Sequence, residues 1–427
     1  MTKQIQNWSG AVRFEPAAYE VPETESALRA MVAEVNRGGG RIRVIGSGHS
    51  FSPLIRTEDR LVSLDGLQGI VETRDDGQIT AWAGTKLWKL NDLLHGLGRG
   101  LENLGDIDRQ SIAGTVSTGT HGTGKAFGSV STQLTGLRLV TADGEARDLT
   151  AADGDLFRAA QVSLGALGIL TQVRLRTVPA YKLKLVQRKE SASACLSDLD
   201  RRARENRNFE FFTFPYTDVA QTKEVNVTEE NPSSHFGQFL NDLVLENGVF
   251  KLLSEASRWI PGATPIVAKI CGWGVGGATK RDWSHRIFRM PRLVRFQEME
   301  YSVPAERMSD VVRELMAMIE RDRVRVHFPI ECRFVKGDDI FLSPAHGRDS
   351  AYIAVHSYKG MPHADYFRRA EAIFRNHGGR PHWGKMHTLT GKELGALYPK
   401  WEAFKEIRAK LDPKGVFLND QLRSFFA

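Results

Sequence analysis

Arg41-Ile42-Arg43-Val44-Ile45-Gly46-Ser47-Gly48-His49-Ser50-Phe51-Ser52-Pro53 decides the reading of this 427-residue chain, because a strand-like run empties into a glycine-rich turn carrying one histidine. Gly46 and Gly48 tolerate backbone conformations that a Cβ penalises, so successive N–H groups can converge on one anion, with Ser47, Ser50 and Ser52 adding hydroxyls. A pyrophosphate suits such a cradle. The dinucleotide fingerprint G-x-G-x-x-G fails at Phe51, where the third glycine should stand, which argues against a Rossmann turn. Working outward, a second cradle runs from Gln110 to Gly124, dense in Gly, Ser and Thr and almost free of charge. It imitates a P-loop at Gly119–Lys125, but Ala126 occupies the magnesium-binding Ser/Thr position and no helix opens after it. A lone Gly-Ser loop can be an ordinary surface connection; two, each beside a strand pattern, point to a wrapped nucleotide.

The composition is that of a globular protein, 41% hydrophobic and 26% charged. No apolar run is long enough for a membrane span, and Met1–Gly10 has no signal-peptide core, so a cytoplasmic enzyme is expected. Three widely spaced cysteines, Cys195, Cys271 and Cys332, offer neither a disulfide framework nor a metal pair. A net charge of +7 is modest for this length and argues against nucleic-acid binding. One basic cluster, Lys280, Arg281, Arg286, Arg289, Arg292 and Arg295, is interleaved with aromatic and aliphatic residues and leaves peripheral membrane contact open; Pro291 breaks any helix there and favours a solvated face.

Periodicity predicts a helix over Thr24–Arg37 ended by Gly38-Gly39-Gly40, strands at Arg41–Ile45, Leu61–Leu64, Gly69–Val71 and Gln78–Trp82, and a helix at Leu87–Gly96. Strands at Leu134–Thr141, Ala146–Leu149 and Gly168–Leu175 follow, with a helix near Asp155–Val162. Beyond Ala180 the elements lengthen: strands at Phe209–Phe214, Val294–Val303, Val324–Phe334 and Ala351–Ser357, helices at Arg307–Arg321 and Asp365–His377, and a helical stretch at Thr388–Leu411. Glu331 and Arg333, two apart on one strand, share a face while Cys332 points away, and form either a structural ion pair or a catalytic couple. His382 and His387 are five apart without an acidic or cysteine partner, a poor metal pair, and no metal is expected.

Asn7-Trp8-Ser9-Gly10, Gly46–Phe51, Leu101-Glu102-Asn103, the Gly114–Gly124 loop, Ser163–Gly168, Glu331-Cys332-Arg333 and Pro381–Lys385, in this order and spacing, resemble the FAD-dependent oxidoreductases of the vanillyl-alcohol oxidase type, in particular the sugar-1,4-lactone and alditol oxidases. The likeness spans nearly the whole chain. It implies an α+β, two-domain flavoprotein: a split FAD-binding domain of the PCMH type at 1–179, a mixed α/β substrate or cap domain at 180–380, and a segment at 381–427 that completes the site and returns, at Phe417–Asp420, to the first domain.

The same resemblance implies FAD bonded covalently through His49 to the flavin C8 methyl, a link that strengthens the ring as a hydride acceptor. Cofactor contacts are expected from Arg43, Gly46, Ser47, Gly48, Ser50 and Phe51; from Ser111, Gly114, Thr115, Ser117, Thr118, Thr120, His121 and Gly122; from Gly168 and Ile169; and from His382 and Lys385. Gly105 would leave oxygen a path to the reduced ring, although a plain turn glycine reads the same way. Asp106, Glu298 and His356 would bind substrate. Glu331 and Arg333 would grip the reacting hydroxyl, Arg333 stabilising negative charge as the flavin accepts hydride, and Lys385, desolvated beside Arg333, would polarise the hydroxyl or take its proton. The implied reaction passes hydride from a carbinol carbon of a sugar 1,4-lactone to flavin N5, with oxygen as acceptor and hydrogen peroxide as product. An alditol or polyol oxidase, or a lactone dehydrogenase using a quinone or cytochrome, is the alternative. Asp106 stands where alditol oxidases carry serine, which favours the lactone branch. Neither the particular lactone nor the oligomeric state is legible.

Overall fold

Thr24 starts the first long helix by accepting the Ala27 N–H at 3.1 Å, and the Glu25–Gly38 helix buries Leu28, Val32 and Val35 on one stripe. Gly39, at φ +72°, ends it in the left-handed conformation. The chain then enters the Ile42–Ile45 strand, which runs parallel to Arg60–Ser63, itself paired in parallel with Ala18–Glu20. A five-stranded antiparallel sheet lies alongside in the order Ala146–Thr150, Leu134–Val140, Ile169–Arg176, Gln78–Trp82, Ile70–Thr73. This computed structural model describes residues 4–233, 247–290 and 294–426.

An antiparallel sheet of eight strands forms the other half, in the order Ala278–Trp283, Lys182–Ser191, Val219–Val227, Asn208–Thr213, Ile330–Val335, Ser350–Tyr358, Phe296–Pro304, Arg380–Pro381. Its central strands are buried on both faces, and the two faces differ in chemistry. Met299, Tyr301 and Val303 enter the apolar core with the Met308–Arg321 and Ala364–Asn376 helices; Tyr301 stacks on Phe374 and donates to Glu371 at 2.5 Å. The alternate residues Phe296, Glu298 and Glu300 look into a cavity on the opposite side.

After the Trp401–Leu411 helix, Asp412 accepts the N–H groups of Val416 and Phe417, turning the chain back. Ile42 then donates to the Val416 carbonyl at 2.9 Å, and Asn419 donates to the carbonyls of Pro53, Leu54 and Arg56. The C-terminal segment is thus hydrogen-bonded to residues on both sides of the first cradle.

Three expectations change. The strand expected at Val324–Phe334 is regular only over Ile330–Val335, because Arg323 turns with φ +49° and the Tyr216 hydroxyl takes the Val324 carbonyl. The Thr388–Leu411 helix is two helices, Gly391–Leu397 and Trp401–Leu411, separated at Pro399, which lacks an N–H. The basic stretch is an edge strand, Ala278–Trp283, and a short helix, Ser284–Phe288; Pro291, Arg292 and Leu293 lie outside the described residues.

Candidate active site

The first cradle is held from three directions. Trp8 donates its N–H to the Gly48 carbonyl at 2.7 Å, Asn7 donates to the Ser50 carbonyl at 3.0 Å, and Phe51 donates to the Gly384 carbonyl at 2.7 Å. Gly48 sits at φ +67°, which favours glycine, and a Cβ on Gly46 would lie 2.4 Å from Ser111 Oγ. The two cradles therefore meet backbone to side chain. His49 projects from this turn with Trp8 stacked at 6.0 Å between ring centres. Burial, then Lys385 and Lys86, push its pKa down to about 4, so the imidazole is neutral near pH 7 and keeps a nucleophilic nitrogen.

The second cradle is partly helical: Ser111 caps the short Ile112–Ser117 helix by accepting the Gly114 N–H. Gly46, Ser47, Gly48, His49, Ser50, Ser111, Gly114, Ser117, Thr118, Gly168 and Ile169 line one long cleft. Ser47 Oγ is buried there without a hydrogen-bond partner among the described residues, as befits a hydroxyl meant for a ligand. Gly168, at φ +153°, has no room for a side chain because its Cβ would lie 2.5 Å from the Val140 carbonyl. A cleft of glycine turns, hydroxyls and one uncommitted buried oxygen fits the nucleotide and pyrophosphate of FAD.

His49, Ser50 and Thr118 also line a second cavity of about 410 Å³, together with Phe51, Gly105, Asp106, Thr120, His121, Glu298, Glu331, Arg333, His382 and Lys385. Its floor is a ladder of charge across the sheet. Lys223 lies opposite Glu210 in the strand register, and Glu210 opposite Arg333. Lys223 Nζ donates to Glu210 Oε1 at 2.8 Å; Arg333 donates from Nε to Glu210 Oε2 at 2.9 Å and from Nη2 to Asp106 Oδ2 at 2.6 Å, and also pairs with Glu331. Burial alone would loosen the Arg333 proton, but Asp106, Glu331 and Glu210 outweigh it and push the pKa well above the ordinary value. Burial likewise opposes ionisation of Glu210, yet Lys223 and Arg333 bring its pKa down to about 2.

Two strands further along the sheet from Arg333, Glu298 accepts from Lys385 Nζ at 2.6 Å; burial opposes its charge, but Lys385 and His356 hold its pKa at about 2. Lys385 is thus the donor of an ion pair with Glu298 and lies 5.2 Å over the Phe51 ring, not desolvated against Arg333 as expected. His121 donates from Nδ1 to the Gly122 carbonyl at 2.8 Å, and its Nε2 faces Glu300 Oε1 at 3.3 Å. His382, neutral because burial lowers its pKa to about 3, accepts the Gly384 N–H at Nδ1, so its proton sits on Nε2. His387 turns the other way, against Trp383 and Phe425.

Arg43 lines the cleft but spends its donors on the carbonyls of Leu54, Leu164, Gly165 and Phe417, knotting strand, loop and C-terminal segment together. Three expected contacts fall elsewhere. Thr115 is fully buried and donates to Ser111 of its own helix, and Gly122 is small because Leu104 presses on it, a Cβ lying 2.1 Å from that carbonyl. His356 stands behind Glu298 and Glu331, at 3.5 and 3.8 Å, with Nδ1 on the Pro329 carbonyl, and does not reach the cavity wall. Gly105 does line the cavity, but a Cβ there would lie 2.8 Å from the His121 carbonyl, so close packing of the second cradle also demands glycine. Glu210, Lys223 and Glu300 were not singled out from sequence. Arg289, noted from sequence only as part of the basic cluster, reaches the cavity rim near Asp108 at 3.7 Å.

Residues 16–150 match the family model described as FAD binding domain, and residues 173–425 match that described as D-arabinono-1,4-lactone oxidase. The chain is 40% identical over 419 residues to an L-gulono-1,4-lactone dehydrogenase of Mycobacterium tuberculosis, covering 98% of this chain and 97% of the relative. It is 32% identical over 438 residues to an L-gulonolactone oxidase of Scyliorhinus torazame, covering 100% and 99%. Among solved structures, a cholesterol oxidase variant from Brevibacterium sterolicum superposes with a TM-score of 0.86 at 17% identity, covering 100% of this chain and 97% of the other. The fold is therefore the two-domain flavoenzyme architecture.

Proposed function

Because the chain belongs to the D-arabinono-1,4-lactone oxidase family of FAD-dependent oxidoreductases, we propose that it oxidises a carbinol of a sugar 1,4-lactone, with His49 as the covalent flavin tether and oxygen as the electron acceptor. One observation carries this reading: His49, Ser50 and Thr118 stand on the walls of both the nucleotide cleft and the charged cavity, so the two are one continuous space. FAD, when bound, supplies the hydride acceptor. The division at 1–179, 180–380 and 381–427 belongs to the same proposal, with cofactor and substrate halves meeting at this space.

The protein's own groups do the remaining work. Arg333 cannot swing, since Glu210, Asp106 and Glu331 hold its fork from three sides. Its fixed cation then lowers the energy of negative charge that builds up across the cavity, without reorganising as the reaction proceeds. Glu331, oriented by Arg333, accepts the hydrogen bond of the reacting hydroxyl and gives its proton a polarised destination. Lys385 donates to a substrate oxygen from the opposite wall while Glu298 keeps the ammonium in place. Asp106 accepts from a sugar hydroxyl, and His356 acts on substrate only through Glu298 and Glu331. The His121–Glu300 pair and the Nε2–H of His382 form the wall towards the cofactor. Gly105, which has no side chain to close the cavity edge, is the proposed entry for oxygen.

The test is a panel of gulono-, galactono- and arabinono-1,4-lactones and alditols on the purified protein, followed by flavin bleaching without oxygen and by peroxide formation with it. Bleaching by lactones, with stoichiometric peroxide in air, is the expected result. Bleaching by alditols alone would overturn the lactone assignment. Lactone bleaching with slow reoxidation in air but fast turnover with a quinone or cytochrome would overturn oxygen as acceptor.

A further inference from the structure

Among the described residues, seven of the thirteen large hydrophobic side chains left exposed lie within one short region, residues 249–273. This region is a helical hairpin, Asn247–Trp259 and Thr264–Gly274, joined by the turn Pro261–Ala263. Its inner face is anchored: Val267 and Cys271 pack on Phe212 and Phe214, Phe250 meets Phe328 at 4.8 Å, and Ser254 bonds His327 at 2.9 Å. Its outer face is oily. Trp273 is 77% exposed, Leu252 74%, Trp259 73%, Ile266 63% and Ile260 62%. Exposed apolar side chains concentrated in this way on a firmly packed element mark an interaction surface.

The charges around it say what kind. Lys251, Arg258 and Lys269 are the exposed charged residues of the two helices, and the one acid, Glu255, is occupied by Arg258 and by the Tyr358 hydroxyl. A second copy of this chain would set this cationic patch against another of the same sign, since a two-fold contact pairs a patch with itself. An anionic bilayer surface has the opposite charge. It also accepts tryptophan at the headgroup level and aliphatic side chains just below it. We propose that this hairpin docks the enzyme on the surface of an anionic lipid bilayer, Trp259 and Trp273 entering the interface while Lys251 and Lys269 meet lipid phosphates. No helix among the described residues is long and apolar enough to cross a membrane, so the contact is peripheral. This inference is independent of the proposed reaction: it concerns where the enzyme stands, not what it oxidises.

The experiment uses the flavin-loaded full chain and flotation with vesicles of phosphatidylcholine, alone or with roughly a third of phosphatidylglycerol. The protein is expected to float with the anionic vesicles and roughly tenfold less with neutral ones or in high salt. Trp259→Ser combined with Trp273→Ser should cut anionic binding roughly tenfold with unchanged turnover in solution, because both side chains lie outside the core. Lys251→Glu combined with Lys269→Glu should abolish the preference for anionic lipid. Failure of the parent to float with anionic vesicles would overturn the proposal, as would equal flotation of the tryptophan variant or an undiminished anionic preference in the lysine variant. Sedimentation of the parent as a dimer that the tryptophan variant dissolves would assign the face to a second copy instead.

Discussion

Replacing Arg333 by lysine separates the two uses of the charge ladder. The variant keeps a positive charge but replaces a planar fork with a single ammonium, and the fork now holds Glu210 through Nε while Asp106 and Glu331 share Nη2. A lysine nitrogen on the same strand can satisfy one of these carboxylates well and leaves two with weakened partners. At about 1.5–3 kcal/mol for each charge-assisted hydrogen bond lost, the native state should lose roughly 3–6 kcal/mol. The kinetic effect is separate: a donor no longer fixed in place costs about 10²–10³ in the step it assists. Equilibrium unfolding in urea measures the first quantity, and stopped-flow bleaching of the flavin by a lactone without oxygen measures the second. Reoxidation by oxygen, which does not need the substrate grip, should suffer less. Reduction within about threefold of the parent, with less than about 1 kcal/mol lost on unfolding, would refute the ladder and leave Arg333 as an ordinary ion pair.

If His49 tethers the flavin, acid-precipitated protein stays yellow and His49→Ala releases FAD into the supernatant; free flavin from the parent would rule the tether out. Gly105→Ala must push the His121 carbonyl back from 2.8 Å, so it should lose about 1–3 kcal/mol of stability and slow reoxidation by oxygen more than anaerobic reduction; equal slowing of both would assign the glycine to packing alone. The pKa of Glu210, lowered from 4.5 to about 2, means that its carboxylate stabilises the fold above about pH 4.5 and that this contribution fades as the pH falls towards 2. At about 1.36 kcal/mol per pH unit, roughly 3 kcal/mol is at stake. Acid titration of unfolding should therefore show a shallower decline in Glu210→Gln than in the parent, and parallel curves would contradict the assignment.

The parts of the site that depend on local chemistry were legible in the sequence. Gly46, Gly48 and His49 announced a cradle because the conformations they permit are properties of single residues, and the alternation that puts Glu331 and Arg333 on one face needs only one strand. What the sequence withheld is registration between strands. Glu210 and Lys223 read as ordinary charged positions until three strands lie side by side and place them opposite Arg333. His356 was expected to bind substrate, but its distance from the cavity depends on Glu298 and Glu331 standing in front of it. Arg43 stands at the cleft as the resemblance implied, but only the folded chain shows four carbonyls converging on its guanidinium. The split of the Thr388–Leu411 stretch, by contrast, was available in Pro399.

The knot between Arg43 and the carbonyl of Phe417 joins segments 374 residues apart, and Val416 and Asn419 close the same seam. During synthesis the first cradle emerges long before the wall formed by Phe417, which follows Arg43 by 374 residues. Until then Arg43 is a buried cation short of a carbonyl, and the nucleotide cleft is open along one side. The nucleotide cleft is therefore complete only after the Phe417 segment has been made, and a chain cut short at the seam carries all of the groups in its charged cavity with no finished place to hold the cofactor.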